Sequence, residues 1–68
     1  MSNNKFNIGD IIVPIKGQRG NTWIVTNIMY PADHIPFYAL QNLEDEEEYE
    51  LLYCSHIDEY YERPNKNV

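Results

Sequence analysis

Cysteine is almost missing: Cys54 is the only one in 68 residues, so no internal disulfide can form. That excludes the disulfide-stapled class of small secreted domain and points to a reducing compartment. Long apolar runs are missing too, with no stretch able to cross a bilayer as a helix. Met1-Ser2-Asn3-Asn4-Lys5 has no apolar segment behind it of the kind that makes a secretory signal, and no terminal lipidation motif is present. These absences predict a soluble, cytoplasmic chain with no membrane association. Basic residues are scarce: five Lys and Arg face eleven Asp and Glu, a formal net charge of -6. Such charge repels phosphate backbones, whose binding rests on Lys and Arg releasing counterions. It favours positive or neutral partners, so a protein is expected and nucleic acid disfavoured.

A chain of this length forms one domain and buries only about 60% of the surface its unfolded form exposes, so its core is marginal. Residues 1–5 and 64–68 are polar and are expected to be disordered, leaving an organised domain over 6–63. Gly9-Asp10 makes a turn before the β-branched strand Ile11-Ile12-Val13-Pro14-Ile15, and Pro14 places that end at a sheet edge or bulge. Residues 16–21 form a loop whose Gly17 and Gly20 permit positive φ. Residues 22–30 read as a strand with Trp23, Val25 and Ile28 facing the core, which needs a bulge near Asn27 to bring Ile28 into phase. After a proline-bracketed loop, residues 37–43 form a third strand with Tyr38 and Leu40 inward. Residues 44–47 turn the chain into a fourth strand at 48–53. The tail allows two readings. Ser55 and Asp58 fit a capping box for one helical turn before a short strand at 59–62, the reading favoured because it closes the sheet. The alternative is a helix over 55–63 stopped by Pro64.

Several short segments carry a resemblance. Ile8-Gly9-Asp10-Ile11-Ile12, Gly17 to Gly20, Trp23-Ile24-Val25-Thr26-Asn27-Ile28, Tyr38-Ala39-Leu40 and the ending Ser55-His56-Ile57-Asp58-Glu59-Tyr60 follow one another through most of the chain. Their order resembles the grammar of KOW-type and related SH3-like barrels. The resemblance implies an all-β, five-stranded SH3-like small barrel with one short helical turn near the C-terminus. The Ala-Leu-Tyr-Asp-Tyr run of signalling SH3 domains is missing, so proline-rich peptide binding does not carry over. In size and acidity the chain is similar to short accessory proteins of bacteriophages and prophages, which implies a factor that binds or inhibits a host protein.

The most distinctive local feature is the block 44–50, six carboxylates in seven residues interrupted by Tyr49. One reading is a solvated hairpin tip that guards an edge strand against aggregation. The other is a partner-binding surface of Glu44, Asp45, Glu46, Glu47, Glu48, Tyr49 and Tyr53, where convergent charge steers a basic patch and the tyrosines anchor it. Of nine aromatic residues a small barrel can use about half, leaving Tyr30, Tyr49, Tyr53 and Tyr61 for the surface. The alternative function, a KOW-like nucleic-acid-binding domain, would use Lys16, Arg19 and Trp23. No metal is expected, because the acidic block lacks the glycine of a calcium loop and one Cys with two His lacks zinc-site spacing. No cofactor motif is present. Cys54 and His56 stand close enough to share a strand face, yet a lone Cys is typically a small core hydrophobe, so no catalysis is expected.

Overall fold

The computed structural model describes residues 4–64; the flanking residues of both expected disordered segments lie outside that range. Five strands, β1 (Ile11–Pro14), β2 (Trp23–Met29), β3 (Phe37–Asn42), β4 (Tyr49–Tyr53) and β5 (Tyr61–Glu62), form one antiparallel sheet. Its strand order is β4-β3-β2-β1-β5. The one helix among the described residues, α1 (Cys54–Tyr60), links β4 to β5. The chain is therefore mostly β, with one open sheet and one short helix.

The clearest alternation lies in β3, where Tyr38, Leu40 and Asn42 point inward while Phe37, Ala39 and Gln41 point outward. In β2, Trp23 and Val25 are buried, and strict alternation would next turn Asn27 inward. A register shift between Val25 and Asn27 prevents this, so that Ile28 pairs with Tyr38 and packs against the core. The bulge thus restores an apolar inner face at the cost of one unpaired residue, Thr26. Phe6, Ile12, Cys54, Ile57 and Tyr61 complete the core. Pro14 pairs with Tyr61 of β5, beyond the last β1–β2 pair at Ile12 and Trp23, so its missing N–H interrupts nothing on the β2 side.

Three expectations are corrected. The Ser55 capping box does not form: the N-cap is Tyr53, with no side-chain cap bond, and the helix starts at Cys54. Burial decides the phase here. Cys54 and Ile57, three apart on one helix face, both enter the core, and the Cys54 N–H donates to the Pro36 carbonyl. The helix also runs to Tyr60, longer than one turn, and only Tyr61 and Glu62 remain for β5. Tyr61, expected at the surface, is 9% exposed. It lies against Gly20, where an added Cβ would stand 2.6 Å from its hydroxyl oxygen.

Asn4 and Lys5, placed by composition in the disordered N-terminal segment, make specific contacts. Asn4 Nδ2 donates to the Tyr30 hydroxyl at 2.9 Å, and Lys5 Nζ donates to the Asp58 and Tyr61 carbonyls at 3.3 and 3.2 Å. Arg63 closes the same corner. It forms a salt bridge with Asp10 at 2.7 Å, donates to the Lys5 carbonyl and lies over the Phe6 ring.

At the centre, Tyr38 is fully buried, and its hydroxyl donates to Asp58 Oδ1 at 2.6 Å while accepting the Phe6 N–H at 3.2 Å. Tyr38→Phe removes both bonds and leaves a buried N–H without a partner. The expected loss is about 2 kcal/mol of unfolding free energy, read as a lower urea midpoint with an unchanged slope. Trp23→Phe provides the contrast. The indole Nε1 is buried with no hydrogen-bond partner, so part of the lost packing is offset by removing an unsatisfied donor, and a cost below about 2 kcal/mol is expected.

Candidate functional site

β4 stands at one edge of the sheet and turns two kinds of surface to solvent. Its odd-numbered residues Tyr49, Leu51 and Tyr53 share the outer face, at 63, 57 and 53% exposure. Across the ladder they meet Gln41, Ala39 and Phe37 of β3. The next strand continues the face with Ile24, Asn27 and Met29. Apart from Gln41, Asn27 and the bulged Thr26 this outer face carries mostly apolar and aromatic side chains, although the core lies on the other side of the sheet. The Phe37 and Tyr53 rings meet edge-on at 6.4 Å. Phe37, Leu51, Leu52 and Tyr53 line a shallow groove of about 320 Å³.

The acidic block sits at the hairpin end of this strand. Glu44, Asp45, Glu46 and Glu47 are exposed, Glu48 is half-buried and Glu50 is exposed within β4. None of the six forms a salt bridge with a described residue. The loop holding them is ordered from below by Asn42, a buried polar residue of β3. Asn42 Nδ2 donates to Glu48 Oε1 at 2.8 Å, and Asn42 Oδ1 accepts the Glu44 N–H at 2.7 Å. Asp45 Oδ1 accepts the Glu47 N–H, and Gln41 Nε2 donates to the Glu46 carbonyl. The carboxylates are thus carried on a defined turn. The structure brings Tyr49 and Tyr53 onto one face of β4, Tyr49 next to the acidic turn and Tyr53 at the far end of the strand, beside α1. It adds Leu51 and Phe37, which composition alone did not single out. The alternation in Tyr49-Glu50-Leu51-Leu52-Tyr53 was the available signal, since period two puts Leu51 between the tyrosines.

The residues of the alternative nucleic-acid reading separate. Lys16 and Arg19 are exposed in the loop after β1, where Gly17 takes the positive φ of 91° that a turn requires. Trp23 is 4% exposed and belongs to the core, so it offers no ring face for base stacking. Arg19 instead lines a depression of about 210 Å³ with Gln18, His56, Tyr60 and Tyr61.

Cys54 and His56 lie in different surroundings. Cys54 is buried, and its thiol is pushed up to about 11, first by burial and then by the negative charge of Asp58. His56 is exposed, its ring 4.9 Å from that of Tyr60. Burial, and then the hydrogen bond to Asp58, likewise raise the Tyr38 hydroxyl above the ordinary tyrosine range. Among the described residues no cluster of three or more His, Cys, Asp or Glu is arranged to hold a metal ion. Nor is any helix there long and apolar enough to cross a membrane.

No family model, curated protein or solved structure matches this chain.

Two outcomes follow from this geometry. Cys54 and Tyr38 stay neutral in the fold above the pH at which they ionise when unfolded. Both contributions are fully present below about pH 9. That of Cys54 is lost as pH rises through 9 to 11, and that of Tyr38 begins to be lost only near pH 10 and goes on above the Cys54 window. The melting temperature should fall across that window, and Cys54→Ala should make the fall shallower. Asn42→Ala should cost about 1–2 kcal/mol and speed amide exchange at Glu44, whose N–H loses its acceptor.

Proposed function

We propose that the protein is a non-enzymatic protein-binding module that docks a basic partner on the outer face and edge of β4. One observation carries this reading: three apolar side chains, each more than half exposed, stand beside six carboxylates that have no cationic partner among the described residues. Apolar surface concentrated in one patch is a common mark of interaction sites. Tyrosine suits such a role because its large ring loses little conformational freedom on contact. The acidic turn would draw in a positive partner and orient it, raising the association rate more than the final affinity.

The strand order β4-β3-β2-β1-β5, with a helix between β4 and β5, supports the SH3-like small-barrel reading. On the resemblance to phage and prophage accessory proteins, the partner is a host or self-encoded protein with a basic patch, met in the cytoplasm. The KOW-like nucleic-acid alternative has less support, because Trp23 is inside and the net charge of -6 opposes phosphate.

The test uses the intact protein as bait against a cell lysate. Wild type is compared with Tyr49→Ser/Leu51→Ser/Tyr53→Ser, which alters only exposed side chains and should stay within about 1 kcal/mol of wild-type stability. Proteins held by the wild type and lost by the triple variant are expected, and an identical captured set would refute the reading. For any partner recovered, Glu44→Gln/Glu46→Gln/Glu47→Gln should slow association at low salt and flatten its salt dependence.

A further inference from the structure

We propose that β4 takes up an extended segment of its partner as an additional strand, with basic residues alternating with apolar ones. The inference rests on the protein-binding reading above and specifies how the partner is held.

The ladder between β3 and β4 decides which backbone groups are free. At one end the Asn42 N–H donates to the Glu48 carbonyl, and at the other the Cys54 N–H donates to the Pro36 carbonyl. Both contacts continue the register of the pairs between them, Leu40 with Glu50 and Tyr38 with Leu52. In an antiparallel ladder, hydrogen-bonded and non-hydrogen-bonded pairs alternate. The even-numbered residues of β4 therefore bond to β3, and the odd-numbered ones turn their amides away from it. Tyr53 is the N-cap of α1, so its carbonyl already accepts a helix bond. That leaves the N–H and C=O of Tyr49 and Leu51 and the N–H of Tyr53 facing outward. Among the described residues, no turn or loop backbone bond engages them.

Edge strands are commonly blunted by a proline, a lysine or a bulge. β4 has none of these three, and its register runs without a shift over all five residues. Its one charged residue is Glu50, which with the acidic turn discourages a like-charged strand. Among the described residues, the charges carried by β4 and the turn before it are all acidic. A strand added here would place alternate side chains on the outer face, against Leu51 and the two tyrosines. Its remaining side chains would lie on the face of Glu50 and Leu52, those nearer the hairpin end beside the carboxylates of the turn. The first set should be apolar and the second basic. A second copy of this chain fits poorly, because it also carries a net charge of -6 and brings the same acidic turn.

The probe is a capped peptide of alternating Lys and Ile, about ten residues long so that it spans the strand. Its controls are a Glu/Ile peptide and a Lys/Ile peptide N-methylated at alternate residues. Binding to the full chain is followed by calorimetry and by amide exchange. The expected result is binding of the Lys/Ile peptide, with slowed exchange at Tyr49, Leu51 and Tyr53, and no binding of the Glu/Ile peptide. Leu51→Pro removes an outward N–H without breaking a β3–β4 bond and should weaken binding at least about tenfold with an unchanged circular dichroism spectrum. If that variant fails to fold, the N-methylated peptide gives the same test on wild-type protein and should bind at least about tenfold more weakly.

Equal affinity for the methylated and plain peptides would overturn strand addition while leaving side-chain docking in place. A failure of the Lys/Ile peptide to bind would overturn this inference alone. The protein-binding reading falls only if the triple serine variant captures the same proteins as wild type. A concentration-dependent dimer that Leu51→Pro dissolves would identify a second copy as the occupant and overturn the basic partner.

Discussion

The hydroxyl of Tyr38 joins three parts of the chain that have no covalent link near one another. It accepts from Phe6 in the N-terminal segment, belongs to strand β3 and donates to Asp58 on α1. In a core built from so few side chains, a satisfied buried polar junction specifies how the pieces meet more sharply than apolar contact alone. Lys5 and Arg63 reinforce the same corner from outside, one reaching the carbonyls of Asp58 and Tyr61, the other bridging Asp10 and the Lys5 carbonyl. This polar stitching, together with efficient packing, stands where a disulfide stands in many chains of similar length.

With the inner face closed in this way, the outer face of the sheet is left with more apolar surface than a solvated face needs. Leu51, Tyr49 and Tyr53 are too exposed to contribute much to folding. The acidic turn beside them has two consequences that do not compete. Like charge keeps copies of the chain apart, as expected of a residue cluster that guards an edge. Under the proposed function the same field would attract a positive partner. One cluster would then serve both solvation and recognition, and Asn42 fixes where it sits.

Legibility in the sequence followed the range of the interactions involved. The inward positions of Trp23, Val25, Tyr38 and Leu40, and the bulge that brings in Ile28, were readable because period two is a local property. The exposure of Tyr49 and Tyr53 was readable from the surplus of aromatic residues. Tyr61 was not, because its burial depends on the bare backbone of Gly20, far away in the chain. Ser55 misled for a similar reason: its local capping signal lost to the burial of Cys54 and Ile57. Asn42 was invisible as a core residue because its value lies in two hydrogen bonds to a turn. The openness of the β4 edge was hidden as well, since strand order is a long-range property.

The corner where Lys5 meets Arg63 also sets how the domain would answer to force. β1 and β5 are antiparallel, pairing Val13 with Glu62 and Pro14 with Tyr61, so the chain enters one and leaves the other at the same end. Tension on the two termini would peel these strands apart one bond at a time, instead of loading all their bonds together in shear. The Asp10–Arg63 bridge would yield first and the short β1–β5 pairing next. The β2–β3–β4 unit, held by its much longer ladders, would be the last to open.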